Sequence, residues 1–253
     1  MKRIGICLSG GGARGIAHIG VLQALESAGV IPHMVSGCSA GAMVGALYAS
    51  GIPPREIYRL IENKSIYSII RMGLPDKGMM ELGYFRKMLI DNIRHDSFEL
   101  LTKPLYVSVT NLNTGEAEII GNGKLIEPVI ASQSIPLVFK PQKMGDHLYV
   151  DGGVLNNLPI EPIRPQCDIL IGVNVNPIRY TDTLGSMRDV GYRVLNLTLM
   201  LNMQERLKQC DFVIEPDTSA YTIFDVSRSR IIYDAGYESA LPAAEAIARL
   251  LDQ

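Results

Sequence analysis

Short, almost wholly apolar runs alternate with segments of helical period along the first sixty residues. Residues 3–8 read as a buried strand. Residues 15–28 follow with Ile16, Ile19, Leu22 and Leu25 on one helical face, and Gly29 supplies a stop. Residues 31–36 read as a second strand. Residues 40–50 predict a helix of small side chains (Ala42, Gly45, Ala46, Ala49) that can lie close to a sheet. Gly51 ends it, and Pro53-Pro54 opens another helix reaching about residue 63. This strand–loop–helix–strand–turn–helix order predicts a parallel sheet flanked by helices, with ligands bound at the carboxyl ends of the strands.

The pattern weakens over residues 64–80, where Gly73, Pro75 and Gly78 interrupt an Ile/Met-rich stretch, a candidate lid. Residues 82–93 predict a helix, and 105–110 with 116–120 predict a hairpin around Asn111-Leu112-Asn113-Thr114-Gly115. A helix over 125–131 ends near Ser134-Ile135-Pro136. A strand over 147–150 runs into Asp151, and another spans 169–175. A long helix with a Leu/Met/Val stripe covers 184–207, a last strand 212–214, and an amphipathic helix closes the chain over 235–251. There is no repeat, low-complexity tract or linker, so residues 1–253 read as a single α/β domain.

Composition narrows the function classes. Charged residues make up 20% and the formal net charge is −2, so the chain has no basic footprint for nucleic acid. Cys7, Cys38, Cys167 and Cys210 are widely spaced, against a zinc site or a disulfide scaffold. That spacing fits a reducing cytoplasm. Ser9 to Gly12 interrupt the apolar stretch after Lys2 and Arg3 too early for a secretory signal. No run is long enough to span a bilayer. The expected partners therefore exclude nucleic acid and allow transient contact with a membrane surface; oligomeric state is left open.

Three short motifs carry candidate chemistry. Gly37-Cys38-Ser39-Ala40-Gly41 has the G-x-S-x-G spacing of a nucleophile elbow, between a predicted strand and a predicted helix. Its glycines could instead serve only to pack helix on sheet. Gly10-Gly11-Gly12-Ala13-Arg14-Gly15 presents bare amides at a helix start, suited to an oxyanion on Gly10, Gly11 and Gly12. A dinucleotide site would use the same loop but wants an acid about 20 residues on, and residues 31–37 hold no carboxylate. Asp151-Gly152-Gly153 is an ordinary turn sequence unless the aspartate is the base. The four histidines, His18, His33, His95 and His147, all precede Asp151, so the Ser–acid–His order cannot be built and a Ser39–Asp151 dyad becomes a candidate. A carboxylate with an ordinary pKa of about 3.9 must gain basicity from burial.

Taken in order, these motifs resemble the patatin-like phospholipase family, in particular its compact bacterial members. The likeness continues through Ile16-Ala17-His18-Ile19-Gly20-Val21-Leu22, Ala131-Ser132-Gln133-Ser134-Ile135-Pro136 and Val154-Leu155-Asn156-Asn157-Leu158-Pro159. The resemblance implies a three-layer α/β/α sandwich with a mostly parallel central sheet. It implies a serine hydrolase of fatty acyl esters, with Ser39 as nucleophile, Asp151 as general base, an oxyanion hole on the glycine loop, and neither cofactor nor metal. Gly15, Gly37, Gly41, Gly152 and Gly153 support the motifs, and Arg14 matches the family's basic loop residue, which orders the loop or attracts a phosphate. The implied substrates are phospholipid, lysophospholipid or neutral glyceride, met in the cytoplasm or peripherally at a membrane. An acyltransferase or thioesterase using Ser39, and a regulatory protein on a hydrolase fold, are the rival readings.

Overall fold

A computed structural model describes residues 2–62, 82–180 and 184–251. The predicted lid over 64–80 lies outside the described residues. The strands are β1 (Ile4–Leu8), β2 (Met34–Cys38), β3 (Leu105–Asn111), β4 (Glu116–Ile120), β5 (Gln142–Met144), β6 (His147–Asp151), β7 (Ile169–Val173) and β8 (Phe212–Ile214). The helices are α1 (Ile16–Ser27), α2 (Ala40–Ala49), α3 (Pro54–Glu62), α4 (Gly83–Asn92), α5 (Ile126–Ser132), α6 (Met187–Leu207) and α7 (Ser229–Leu251).

The strands form one sheet in the order β5-β6-β3-β2-β1-β7-β8, with β4 also on β3. From β3 to β8 neighbouring strands are parallel, whereas β4, β5 and β6 join antiparallel. Strand period sorts the side chains to two faces. Ile4, Ile6, Leu8, Ile169, Ile171 and Val173 pack into the cluster that includes Leu22 and Leu25 of α1, Leu47 of α2 and Ile247 of α7. Cys7, Met34 and Leu170 point the other way, to Leu158, Ile160, Ile163 and Met203 of α6. The result is a mostly parallel central sheet with helices on both faces.

Two boundaries and one helix face differ from the sequence reading. β2 begins at Met34 because Ile31 is exposed and the His33 ring nitrogen accepts the Ile4 amide proton at 3.1 Å. α7 starts at Ser229 rather than 235, and Ile232 and Gly236 are buried. It crosses α1 where Gly20 meets the Tyr233 carbonyl and Gly236 meets the Ala17 carbonyl, approaches that leave no room for a Cβ. α6 carries an apolar stripe, but only part of it turns inward: Met203 is buried while Val194, Leu197 and Leu201 are exposed.

The sheet also explains how two distant chain segments meet. β4 occupies one edge of β3 over Val107–Asn111. β2 and β6 must therefore share the opposite edge. β2 runs with β3 and ends at the Cys38–Ser108 pair, while β6 runs against it and ends at the Asp151–Val109 pair. Two carboxyl-terminal strand ends thus face each other at consecutive residues of β3.

Candidate active site

Ser39 lies between β2 and α2 with φ 50° and ψ −125°, and is buried. Such a backbone costs a non-glycine residue about 1–3 kcal/mol and persists only where the surroundings hold it. The flanking glycines permit the turn by close approach. A Cβ at Gly37 would lie 2.6 Å from the Gly41 backbone, and one at Gly41 would strike the Leu8 carbonyl. The Ser39 amide donates to Ser132 Oγ at 2.7 Å, and the Ser39 carbonyl accepts from Gln133 Nε2.

Across the junction, Asp151 is buried at the end of β6. Its carboxylate accepts the Gly153 amide on Oδ1 at 2.8 Å and the Cys38 thiol at 3.5 Å. Its own amide donates to the Ser134 carbonyl at 3.0 Å, and its carbonyl accepts from Thr110 Oγ1 at 3.0 Å. Burial raises its pKa from 3.8 to about 6; the neighbouring Ser39 hydroxyl and the hydrogen bonds from Gly153 and Cys38 hold it from going higher. Burial also pushes the Cys38 thiol well above its usual range, so it stays protonated and donates. Gly152 is required by space, since a Cβ there would strike the Ser108 carbonyl.

The glycine loop lies against this pair: a Cβ on Gly10 would come 3.0 Å from Ser39 Cβ. The expectation of three donors narrows here. The Gly10 amide already donates to Asn157 Oδ1 at 3.1 Å, and its carbonyl accepts from Asn176 Nδ2 at 2.6 Å. Gly10 anchors the loop, whereas the Gly11 and Gly12 amides meet no acceptor among the described residues. Gly12 has φ 57°, and a Cβ there would lie 2.6 Å from the Ile223 carbonyl, a position only glycine fills without strain. Gly15 lets the following 3₁₀ turn press on Ala40.

Arg14 is buried behind the loop rather than solvated. Its Nε donates to the Tyr221 carbonyl at 2.7 Å, and its Nη1 to Asn176 Oδ1 at 3.3 Å and Asn196 Oδ1 at 3.2 Å. The guanidinium therefore ties the loop to α6 and to the segment before α7. Asn202 adds a second tie, donating to the Gly153 carbonyl at 3.0 Å and accepting the Asn157 amide at 3.1 Å. Asn176, Asn196, Asn202, Thr110, Ser132 and Gln133 were not singled out by sequence as site residues. Only the string from Ala131 to Pro136 hinted at two of them.

Among the described residues no histidine hydrogen-bonds Ser39 or Asp151. His18 is buried with its Nε2 on the Ser9 carbonyl at 2.7 Å, and burial lowers its pKa to about 4. His147 is exposed and pairs with Asn111 at 2.9 Å. Among the described residues no group of three His, Cys, Asp or Glu side chains is placed to hold a metal. None of their helices is long and apolar enough to cross a membrane.

A strained serine elbow, a glycine loop and a buried aspartate at one sheet end agree with a family model. The model described as patatin-like phospholipase matches residues 6–164, more than half of the chain. The chain belongs to the patatin-like phospholipase family. This patatin-like chain is 28% identical over 272 aligned positions to the lysophospholipase NTE1 of Saccharomyces cerevisiae, covering 94% of this chain but 16% of that protein. It is 34% identical to the neuropathy target esterase sws of Drosophila melanogaster over 62% of this chain and 12% of that protein. An uncharacterized NTE family protein of Mycobacterium tuberculosis is 30% identical over 69% of this chain and 49% of its own length. The patatin-like chain thus spans a minor part of these relatives. Its fold is shared by VipD from Legionella pneumophila, with TM-score 0.64 and 18% identity over 97% of this chain and 67% of that one. The ExoU–SpcU complex of Pseudomonas aeruginosa aligns with TM-score 0.52 and 15% identity over 98% of this chain and 52% of the matched chain.

Proposed function

We propose that this patatin-like domain hydrolyses fatty acyl esters of lipids, phospholipid and lysophospholipid foremost, using Ser39 as nucleophile and Asp151 as general base. The reading rests on one observation above the others: the strained Ser39 follows the strand end that faces, across consecutive residues of β3, a buried carboxylate whose pKa burial has raised to about 6. At pH 7 such a group is about nine-tenths ionised, yet a stronger base than an ordinary aspartate. Asp151 accepts the Ser39 proton as Oγ bonds to the ester carbonyl carbon. The negative oxygen of the tetrahedral adduct takes the Gly11 and Gly12 N–H groups. Collapse expels the alcohol or lysolipid, which leaves with the proton held on Asp151. Water gives its proton to the same carboxylate, attacks the acyl-serine, and releases the fatty acid and free Ser39.

The names of the yeast and fly relatives, lysophospholipase and neuropathy target esterase, support the substrate class. In this reading residues 1–253 act as one hydrolase domain in the cytoplasm, touching a membrane surface during turnover and needing no cofactor. A fluorophosphonate probe mapped by peptide sequencing, together with a lipid panel assayed on wild type and Ser39→Ala, tests it. Labelling at Ser39 and hydrolysis lost in the variant are expected. Wild-type turnover by Ser39→Ala would end the assignment.

A further inference from the structure

The two reacting groups come from segments over a hundred residues apart, and one short stretch touches both. α5 ends at Ser132, and the next two residues leave it as a turn. Ser132 Oγ accepts the Ser39 amide proton at 2.7 Å and donates its own proton to the Ser108 carbonyl at 2.7 Å. Gln133 Nε2 donates to the Ser39 carbonyl. The Ser134 carbonyl accepts the Asp151 amide proton at 3.0 Å. All three residues are buried. The peptide groups on both sides of the nucleophile and the amide of the base are therefore held by consecutive residues. We propose that Ser132 and Gln133 are positioning residues, a clamp that holds Ser39 in its strained conformation facing Asp151.

The physical need for such a clamp is specific. Ser39 occupies backbone angles that are strained for a non-glycine residue, so it relaxes unless its flanking peptides are restrained. Gly37 and Gly41 allow the turn but do not oppose its relaxation. Restraint has to come from groups that bond the Ser39 N–H and C=O directly, and among the described residues Ser132 Oγ and Gln133 Nε2 do so. The α2 helix adds only the ordinary bond from the Met43 amide to the Ser39 carbonyl, at 3.0 Å. Ser132 also reaches Ser108, the β3 residue paired with Cys38 and next to Val109, which pairs with Asp151. The clamp is thus anchored to the strand that fixes the distance between the two reacting ends. A misplacement of about 1 Å in a reacting group lowers a rate about 10²-fold.

The inference rests on Ser39 and Asp151 being the reacting pair, so mapping of the fluorophosphonate adduct to Ser39 in wild type comes first; an unlabelled Ser39 would refute that reading and leave the clamp without a reaction to serve. Ser132→Ala and Gln133→Met, the latter keeping side-chain length without a donor, are then compared with Val129→Ala. Val129 is a buried α5 residue whose truncation destabilises the helix without touching either reacting group. Labelling rate per folded molecule, kcat and KM are read. Ser132→Ala and Gln133→Met are expected to label about 10- to 100-fold more slowly, with the loss in kcat and KM within about twofold. Ser132→Thr, which keeps the hydroxyl, is expected to recover most of the rate. Wild-type labelling rates in both variants, or an equal loss in Val129→Ala, would overturn the clamp. Should Ser132→Ala fail to fold, Gln133→Met alone carries the comparison.

Discussion

Replacing Asp151 with asparagine is expected to abolish hydrolysis and make the protein more stable, by an amount that grows with pH. Asparagine keeps the shape and can still accept the Gly153 amide and the Cys38 thiol. What disappears is the buried charge. The folded state raises the carboxyl pKa from 3.8 to about 6, so folded protein holds that proton more tightly than unfolded protein does. Between pH 4 and 6 the unfolded chain binds fewer protons, and stability falls as pH rises through this window. At about 1.4 kcal/mol per pKa unit, the ionised carboxylate lowers stability by about 3 kcal/mol above pH 6, and below pH 4 by almost nothing. His18 acts in the opposite sense. Its folded pKa is lowered from 6.5 to about 4, so stability is lost as pH falls from 6.5 to 4. The two slopes oppose in wild type, so only the difference between Asp151→Asn and wild type isolates the carboxylate. Urea unfolding at half-unit steps from pH 4 to 8 gives that difference. The gap should widen by about 3 kcal/mol between pH 4 and 8 while hydrolysis is absent throughout. A flat gap would refute the burial argument, and an active Asp151→Asn enzyme would refute the base assignment.

The wild-type kcat/KM should fall below an apparent pKa near 6 as Asp151 takes a proton, and a profile flat down to pH 4.5 would contradict it. Ser39→Gly and Ser39→Ala should both be inactive, yet the glycine variant should be more stable by about 1 kcal/mol because its backbone tolerates φ 50°; equal melting curves would show that the turn is not strained. Gly11→Ala should slow acylation by about 10²-fold, because its Cβ would sit 2.5 Å from Val175 Cγ2 and turn the amide away. Unchanged labelling per folded molecule would exclude Gly11 as an oxyanion donor. Arg14→Met should lower stability by about 2–4 kcal/mol by leaving the Tyr221, Asn176 and Asn196 acceptors unmet, measured by urea unfolding; a change under about 0.5 kcal/mol would show that water replaces the guanidinium.

The parts of the site legible in the sequence were those written in contiguous residues. Backbone geometry demands glycine at particular spacings, so the elbow around Ser39 and the loop around Gly12 were readable from residue type alone. The alternation of apolar runs and helical periods likewise predicted the parallel half of the sheet. Register between distant strands leaves no such local mark. Nothing in residues 147–151 announces that β6 runs against β3 on the edge β2 leaves free, and the three-residue β5 is too short for a period to register. The roles of the asparagines were invisible for the same reason. Asn157 and Asn176 serve Gly10 across 147 and 166 residues, and a polar residue in a loop looks alike whether it faces solvent or a backbone amide. The sequence reading left Gly10 as a third donor because only the structure reveals that Asn157 already occupies its amide.

The choice of neutral amides around the loop follows from the charge economy of a site with no histidine. A serine–histidine pair generates an imidazolium that helps offset the oxyanion; in the proposed mechanism Asp151 becomes neutral when it takes the proton, leaving the negative oxygen to the backbone donors. Those donors must then be rigid, because a hydrogen bond that has to be reorganised contributes less at the moment charge develops. Asn157, Asn176 and Asn202 supply that rigidity without adding a carboxylate near the oxyanion, and Arg14 supplies the one buried positive charge described behind the loop. A second acid among these positions would oppose both the oxyanion and the ionised Asp151. The same reasoning accounts for Cys38 beside the base. Its raised pKa keeps the thiol neutral, so it donates a weak hydrogen bond to Asp151 without competing for the proton that the proposed mechanism takes from Ser39.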